Sequence, residues 1–414
     1  MVPKGWELSS IGKISDVSSG GTPSRNNEAY WNGNIPWVTT AEVQFKIIED
    51  TVEKITEEGL ANSSAKLFPA GTILMAMYGQ GKTRGQVAKL GIDASTNQAC
   101  AAIVLHTGYE VDFYYQFLIS QYENIREMAN SGGQQNLSGG IVKSIPVPVP
   151  PLTEQKKIAK ILSTWDNAIS VTEKLLTNSQ QQKKALMQQL ITGKKRLLDE
   201  RGVRFSGEWE YTIFGNLGDT YTGLTGKTKE DFGAGKPYIP YINIFKNSRI
   251  DIQNLEYVQV NDDERQSVVK YGDIFFTTSS ETPEEVGMSS VLLEEVSEVF
   301  LNSFCFGFRL NNFETLIPKY ARYLFRSEHV RRQISTLGQG ATRYNLSKRQ
   351  LIKLELKLPC VEEQQKIAAV LSAADAEIST LEKKLACLRD EKKALMQQLL
   401  TGKRRVKVDE AVAA

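Results

Sequence analysis

Two stretches of this chain carry apolar residues at alternating spacings of four and three. The first runs through Ile158, Leu162, Trp165, Ile169, Thr172, Leu176, Ser179, Lys183, Leu186 and Leu190. The second runs through Ile367, Leu371, Ala374, Ile378, Leu381, Leu385, Leu388, Lys392, Leu395 and Leu399. Such a stripe stays on one face of a helix and is the heptad mark of a coiled coil. Thr153, after the proline run IPVPVPPL, is placed to cap the first helix. Gly193 and Gly402 fall just past the last periodic residues, where a left-handed cap needs glycine, and basic residues follow each. A helix over 154–192 would be roughly 58 Å long at about 1.5 Å per residue. Neither seam is stable alone in water, and Thr172, Ser179 and Lys183 weaken the first, so the partner of each is the other. If the segment between them folds compactly with neighbouring ends, the second helix begins near where the first stops. Antiparallel pairing follows.

The two stretches are copies. KKALMQQLITGK at 183–194 and KKALMQQLLTGK at 392–403 agree at eleven of twelve positions, and the same offset of 209 pairs Gln155 with Gln364 and Asp166 with Asp375. The blocks ahead of them echo more faintly. Trp6, Glu7, Ile11 and Gly12 match Trp209, Glu210, Phe214 and Gly215 at an offset of 203. Each block then has a polar glycine loop, at 18–27 and 222–230. Short strand-like runs follow: IPWVTTAEV and GTILMAMY in the first, YIPYINI and GDIFFTTS in the second. A helix-like stretch comes next, over 113–128 and 319–334, and Asn-Leu-Ser closes both final loops. The expected class is α+β, with two mixed α/β recognition domains at 1–152 and 198–360. Spacer helices fill 153–197 and 361–414, the latter with a C-terminal tail. The whole forms a pseudo-twofold repeat about an antiparallel coiled coil. A duplicated frame carrying two divergent blocks points to bipartite recognition.

With 414 residues there is room for two or three domains, each with its own core. No run of eighteen apolar residues occurs and MVPKGWELSS lacks a signal-peptide core, which leads to the expectation of a cytoplasmic protein without a membrane partner. Four scattered cysteines and two histidines, without a CxxC pair, give no expected metal site or disulfide. The net charge is only +2, but it is unevenly spread. Residues 1–150 hold 11 basic against 14 acidic side chains, and 151–200 hold 9 against 5. Residues 319–353 hold nine basic side chains, among them Arg322, Arg326, Arg331, Arg332, Arg343 and Arg349, against one acid, Glu328. This reads as a local basic patch.

PPLTEQKKIAKIL and LPCVEEQQKIAAVL open the helices, KKALMQQL(I/L)TGK ends both, and GWE and GEWE open the blocks. In that combination the chain resembles the specificity subunit of type I restriction-modification systems along essentially its whole length. The resemblance implies that each block is a target recognition domain reading one half of a gapped site in double-stranded DNA. The helices would space the two and hold two methyltransferase subunits that methylate adenine, with which two motor nuclease subunits can associate to cleave unmodified DNA. It further implies no cofactor in this chain. S-adenosylmethionine, ATP and magnesium would act only on the partner subunits.

The chain's candidate catalytic motifs do not displace that reading. AMYGQGKT, 76–83, fits a relaxed phosphate loop, but such a loop must open a helix, and Arg84, Gly85 and Gln86 lead into the strand-like VAKLGID. Methyl transfer would by resemblance need an Asn-Pro-Pro-aromatic loop, and none is present. Glu281, Glu284 and Glu285 lack the pattern of a metal nuclease. The chain is therefore expected to be a non-catalytic subunit, without catalytic or metal-binding residues. DNA contacts are expected instead from loop chemistry, since Arg, Asn and Gln read base edges and cations meet phosphates. In the first block the candidates are Arg25, Asn26, Lys82, Arg84, Gln86, Gln134, Gln135 and Asn136. In the second they are Lys227, Lys229, Arg343, Tyr344, Asn345, Lys348 and Arg349. Two other functions stay open at this point: a nucleotide-dependent enzyme using Lys82 and Thr83, and a coiled-coil scaffold whose blocks bind protein.

Overall fold

Both heptad stripes are helices of 39 residues, Leu152–Leu190 and Val361–Leu399, in the computed structural model, which describes residues 2–79, 82–130, 136–340 and 342–407. None of the twenty seam positions is exposed. The first helix begins one residue earlier than the cap proposed at Thr153, which lies inside it. The amides of Glu154 and Gln155 reach back to the carbonyl of Pro151 at 2.9 and 3.0 Å. It stops at Leu190, two residues short of the helix end expected at 192. The reason is Gly193, at φ +70°, matched by Gly402 at φ +70° after the second helix. Beyond each glycine the chain folds back, with Lys195 N bonded to Gln189 O and Arg404 N to Gln398 O, both at 3.0 Å.

The chain divides into two compact units, Met1–Glu173 with Lys383–Ala414, and Lys174–Glu382. The division passes through both long helices, so each unit holds the first half of one and the last half of the other. Within the first unit Asp166 meets Lys392 at 2.5 Å and Glu173 meets Arg389 at 2.7 Å. Within the second, Lys183 pairs with Asp375, and Ser179 donates to Glu377 at 3.0 Å. In both units one partner number rises as the other falls, so the halves run antiparallel.

The first unit is built on a five-stranded sheet in the order Ser15–Ser19, Cys100–Leu105, Ile73–Ala76, Val87–Leu90, Ile47–Ile48, antiparallel except for the last pair. A smaller sheet orders Glu53–Ile55, Trp31–Val38 and Ser95–Thr96. Glu7–Ser10 pairs with Pro146–Val149, which leads into the first long helix. Ile73, Ile103, Phe113, Tyr114, Ile158, Leu162 and Leu399 share one core, so the half-helices are part of this unit's interior rather than an appendage. The second unit repeats the plan: Gly218–Thr222, Cys305–Leu310, Ile274–Thr277 and Ser289–Val291 form the main sheet, and Glu256–Val258, Phe232–Ile239 and Phe300–Leu301 the smaller one. Its core joins Phe214, Phe276, Phe308 and Phe325 to Ile367, Leu371 and Leu190.

Two local expectations are corrected. The single helix-like stretches are each two helices, Val111–Ser120 with Tyr122–Asn130 and Pro318–Leu324 with Glu328–Leu337. Ser327 starts the last of these by accepting from Val330 N, which breaks the run. YIPYINI is a strand only up to Ile239. Tyr241–Lys246 is helical behind Pro240, and the apolar periodicity of so short a run does not distinguish the two.

Candidate nucleic-acid interface

In the first unit the strands Ser15–Ser19 and Ile73–Ala76 both run antiparallel to Cys100–Leu105, which lies between them. The chain therefore leaves the outer two at the same edge at which it enters the middle one, and the loop residues 20–27, 77–79, 82–86 and 97–99 converge there. Gly21 N bonds to Thr96 O at 2.8 Å, Met77 N to Ala99 O at 2.8 Å, and Leu137 N to Met77 O at 3.0 Å, which adds the 136–138 loop. The Thr22 hydroxyl donates to the Gln98 side chain, and the Tyr122 hydroxyl to the carbonyl of Lys82. Glycine is required for this convergence. A Cβ on Gly20 would lie 2.0 Å from Thr96 O, and one on Gly21 2.3 Å from the backbone of Ser64.

The second unit makes the same edge from 223–228, 278–288 and 302–304. Leu224 N reaches Leu301 O at 2.8 Å, Thr278 N reaches Phe304 O at 3.0 Å, and Leu346 N reaches Thr278 O at 2.8 Å. Ser279–Ser280 also pairs with Tyr344–Asn345, so the loop holding Arg343 is strand-bonded to the edge.

The structure sorts the expected contacts. Asn26, Lys82 and Asn136 are exposed on the first edge, with Arg84 and Gln86 half-buried; Gln134 and Gln135 lie outside the described residues. Lys229, Arg343, Asn345 and Arg349 are exposed in the second unit, and Tyr344 is half-buried. Three candidates are engaged elsewhere. Arg25 grips both oxygens of Glu53 and lies 3.8 Å above the Trp31 ring, and its hydrogen bond to the Glu53 carboxylate holds its pKa above the usual value. It fastens the 20–27 loop to the smaller sheet. Lys227, 6% exposed, is paired with Glu264 at 2.6 Å and holds that carboxylate down at about 2. Lys348 is half-buried with its ammonium 5.7 Å from the Phe306 ring, and burial lowers its pKa.

The basic patch over 319–353 is not one surface. Arg322 bonds Asp375 at 2.7 Å. Arg326 is turned inward onto the carbonyls of Ser289, Ile244, Phe245 and Asn247, at 2.6 to 3.1 Å. Arg331 holds Gly287, Val286 and Glu284 by their carbonyls, at 2.6, 2.6 and 2.9 Å. Desolvation lowers both to about 10. These two arginines secure the 284–287 turn and the Tyr241–Lys246 helix from within, and only the flanking cations face solvent. Arg332 pairs with Glu328 on its own helix.

Two aromatic side chains at the edges escaped the sequence reading. Tyr78 is 43% exposed and Phe304 63% exposed. Tyr78 lies two residues past the strand Ile73–Ala76 and Phe304 directly precedes Cys305–Leu310, where alternation assigns a face but does not say that the face is open to solvent. Aromatic faces of this kind are stacking platforms for nucleobases. The phosphate-loop reading of AMYGQGKT fails on geometry: Lys82 to Gln86 form turns leading into the strand Val87–Leu90, with no helix to present its N-terminus to a phosphate.

The sequence model of the family described as "Type I restriction modification DNA specificity domain" matches residues 3–178 and again 207–388. The MjaVIII type I restriction enzyme specificity subunit of Methanocaldococcus jannaschii is 25% identical over 98% of this chain and 94% of its own length. The MjaIX specificity subunit of the same organism is 32% identical over 42% of this chain, an alignment spanning 40% of that subunit. The crystal structure of a type I restriction-modification S subunit from M. genitalium superposes with a TM-score of 0.59 over 96% of both chains at 16% identity, a likeness of fold.

Proposed function

Since the chain belongs to the type I restriction modification DNA specificity family, we propose that each unit uses its loop edge to read one half of a gapped site in double-stranded DNA. The observation that carries this reading is the edge itself. One chain builds it twice on a repeated frame, from loops that differ in sequence, and offers exposed cations, amides and an aromatic ring on both. Exposed Lys82, Lys229 and Arg349 suit phosphates. Asn26, Asn136, Arg343 and Asn345 carry the donor and acceptor patterns that read base edges.

In this reading the chain performs no chemistry. The long helices set the gap between half-sites and dock two methyltransferase subunits that modify adenine, and two motor nuclease subunits join to cleave unmodified DNA. S-adenosylmethionine, ATP and magnesium belong to those partners. A formal charge of +2 gives the free chain little general affinity for a polyanion, so selective binding arises in the complex, where partner surfaces add their charge around the duplex.

The test is co-expression with the chain's genomic neighbours and sequencing of host DNA for modified adenines. A gapped, asymmetric motif is expected, and replacing residues 1–150 by the corresponding block of a relative changes one half only. Intact partner binding without methylation or selective DNA binding would instead make the chain a protein-binding scaffold. Arg343→Ala weakens or relaxes one half-site, by about 1–3 kcal/mol if it reads a guanine. Equal loss at both halves in quantitative methylation assays would rule out separate readers.

A further inference from the structure

The two seam lysines are the least expected residues of the helix pair. Lys183 and Lys392 occupy heptad positions where leucine would give more stability, and their side chains are 27% and 12% exposed. Each meets an aspartate of the other helix. Lys392 bonds Asp166 at 2.5 Å, and Lys183 pairs with Asp375. Asp375 and Lys392 are the repeat mates, 209 positions on, of Asp166 and Lys183. The same contact is thus made twice, once in each unit, with the roles of the helices exchanged.

Each aspartate is also held from the recognition side. Asp166 accepts from Gln116 Nε2 at 2.5 Å, and Asp375 from Arg322 and from the Tyr323 hydroxyl, both at 2.7 Å. One carboxylate therefore joins its own long helix, the opposing long helix and a helix of the neighbouring globular block.

The alternatives to this alignment are penalised. Because the helices are copies, parallel in-register pairing would set Lys183 against Lys392 and Asp166 against Asp375, like charge on like charge. An antiparallel slip of one heptad in either direction would carry Asp166 to Leu385 or Leu399, and Asp375 to Leu176 or Leu190. Each carboxylate would exchange its ammonium partner for leucine beside the seam, at a larger cost for Asp375, 22% exposed, than for Asp166, 41% exposed. The leucines cannot make this distinction, because a slip of seven exchanges one leucine for another. A single polar residue in a seam is the best-attested device for fixing register.

We propose that the reciprocal pairs Asp166–Lys392 and Asp375–Lys183 are the register lock of the helix pair, and hence positioning residues for the gap at which the two half-sites are read. The second clause rests on the spacer reading above; the first does not.

The complete chain, co-expressed with its methyltransferase partners, provides the test. Asp166→Lys and Lys392→Asp, made singly, are expected to lower the thermal midpoint of the complex. The exchanged double variant D166K/K392D is expected to melt closer to the natural complex than either single one, with a coupling of at least tenfold in the unfolding equilibrium. Recovery stays incomplete, because lysine cannot accept from Gln116. A neutral variant, D166N/K392M with D375N/K183M, keeps the seam packed and is expected to remain folded while methylating DNA at more than one gap length. Absence of coupling in the exchange overturns the lock. A single gap of natural length in the folded neutral variant overturns its role in spacing. If the natural complex shows no gapped motif, the functional reading fails, while the thermal coupling still decides whether the pairs act on register.

Discussion

Glu363→Ala is expected to cost the second unit about 3–5 kcal/mol, the range for removing one partner of a buried ion pair and leaving its neighbours unpaired. The Glu363 side chain is 0% exposed. Its two oxygens take Arg196 Nε and Nη2, each at 2.7 Å, and the indole N–H of Trp209 at 3.2 Å. Those donors come from the turn after the first long helix and from the opening of the second globular block, so one carboxylate at the start of the second helix ties three segments. Alanine would leave Arg196 without its counter-charge, holding only the Gly207 carbonyl at 2.9 Å, strip the indole N–H of its acceptor and open a gap beside the Trp209 ring. That ring also backs the helix-ending glycine: a Cβ on Gly193 would lie 3.3 Å from it. The arrangement recurs in the first unit, where Glu154 takes Arg405 Nε at 2.9 Å and Trp6 Nε1 at 3.2 Å. Arg405 is 42% exposed against 21% for Arg196, so the same substitution at Glu154 costs less. Thermal or denaturant unfolding of the two variants checks the order. Equal losses, or a loss below about 1 kcal/mol at Glu363, would mean that water replaces the carboxylate.

Much of this was legible because it is periodic or repeated. A heptad stripe needs only apolar residues at the right spacing, and the structure fills all twenty positions as read. Gly193 and Gly402 stop the helices because glycine rests at φ +70° without the steric cost that a Cβ brings there, and that preference is visible in one letter of sequence. What stayed hidden depends on partners far along the chain. Arg25 and Lys227 have the composition of DNA contacts, yet Glu53 and Glu264 claim them from 28 and 37 residues away. Arg326 and Arg331 bond to backbone carbonyls, and carbonyl oxygens leave no signature in a sequence, so interior cations counted as surface charge. The match of Asp166 with Asp375 was evident as a repeat. That each pairs with the other copy's lysine emerges only once the antiparallel register is known.

Removing one heptad from both long helices, residues 174–180 together with 383–389, is expected to leave the complex assembled but abolish methylation at the natural gap. Asp166 and Lys183 are 17 positions apart, as are Asp375 and Lys392, so the double deletion shortens both separations to ten and both ion pairs can still form. The seam keeps its alternation of four and three, because seven residues are two turns of a coiled coil. The helices lose about 10.5 Å at roughly 1.5 Å per residue. That is close to three base pairs at about 3.4 Å each, and three base pairs also turn the duplex by nearly a third of its roughly ten-pair repeat. Half-sites at the old gap would then be wrong in both distance and facing, while the bases read at each edge are untouched. Deleting one segment alone gives a different result: separations of ten and 17 cannot both be satisfied, one aspartate is left against leucine, and the complex loses stability instead of changing its gap. Sequencing of modified adenines, read beside the thermal midpoint, separates the two effects. Retention of the natural gap by the double deletion would show that the helices do not set it.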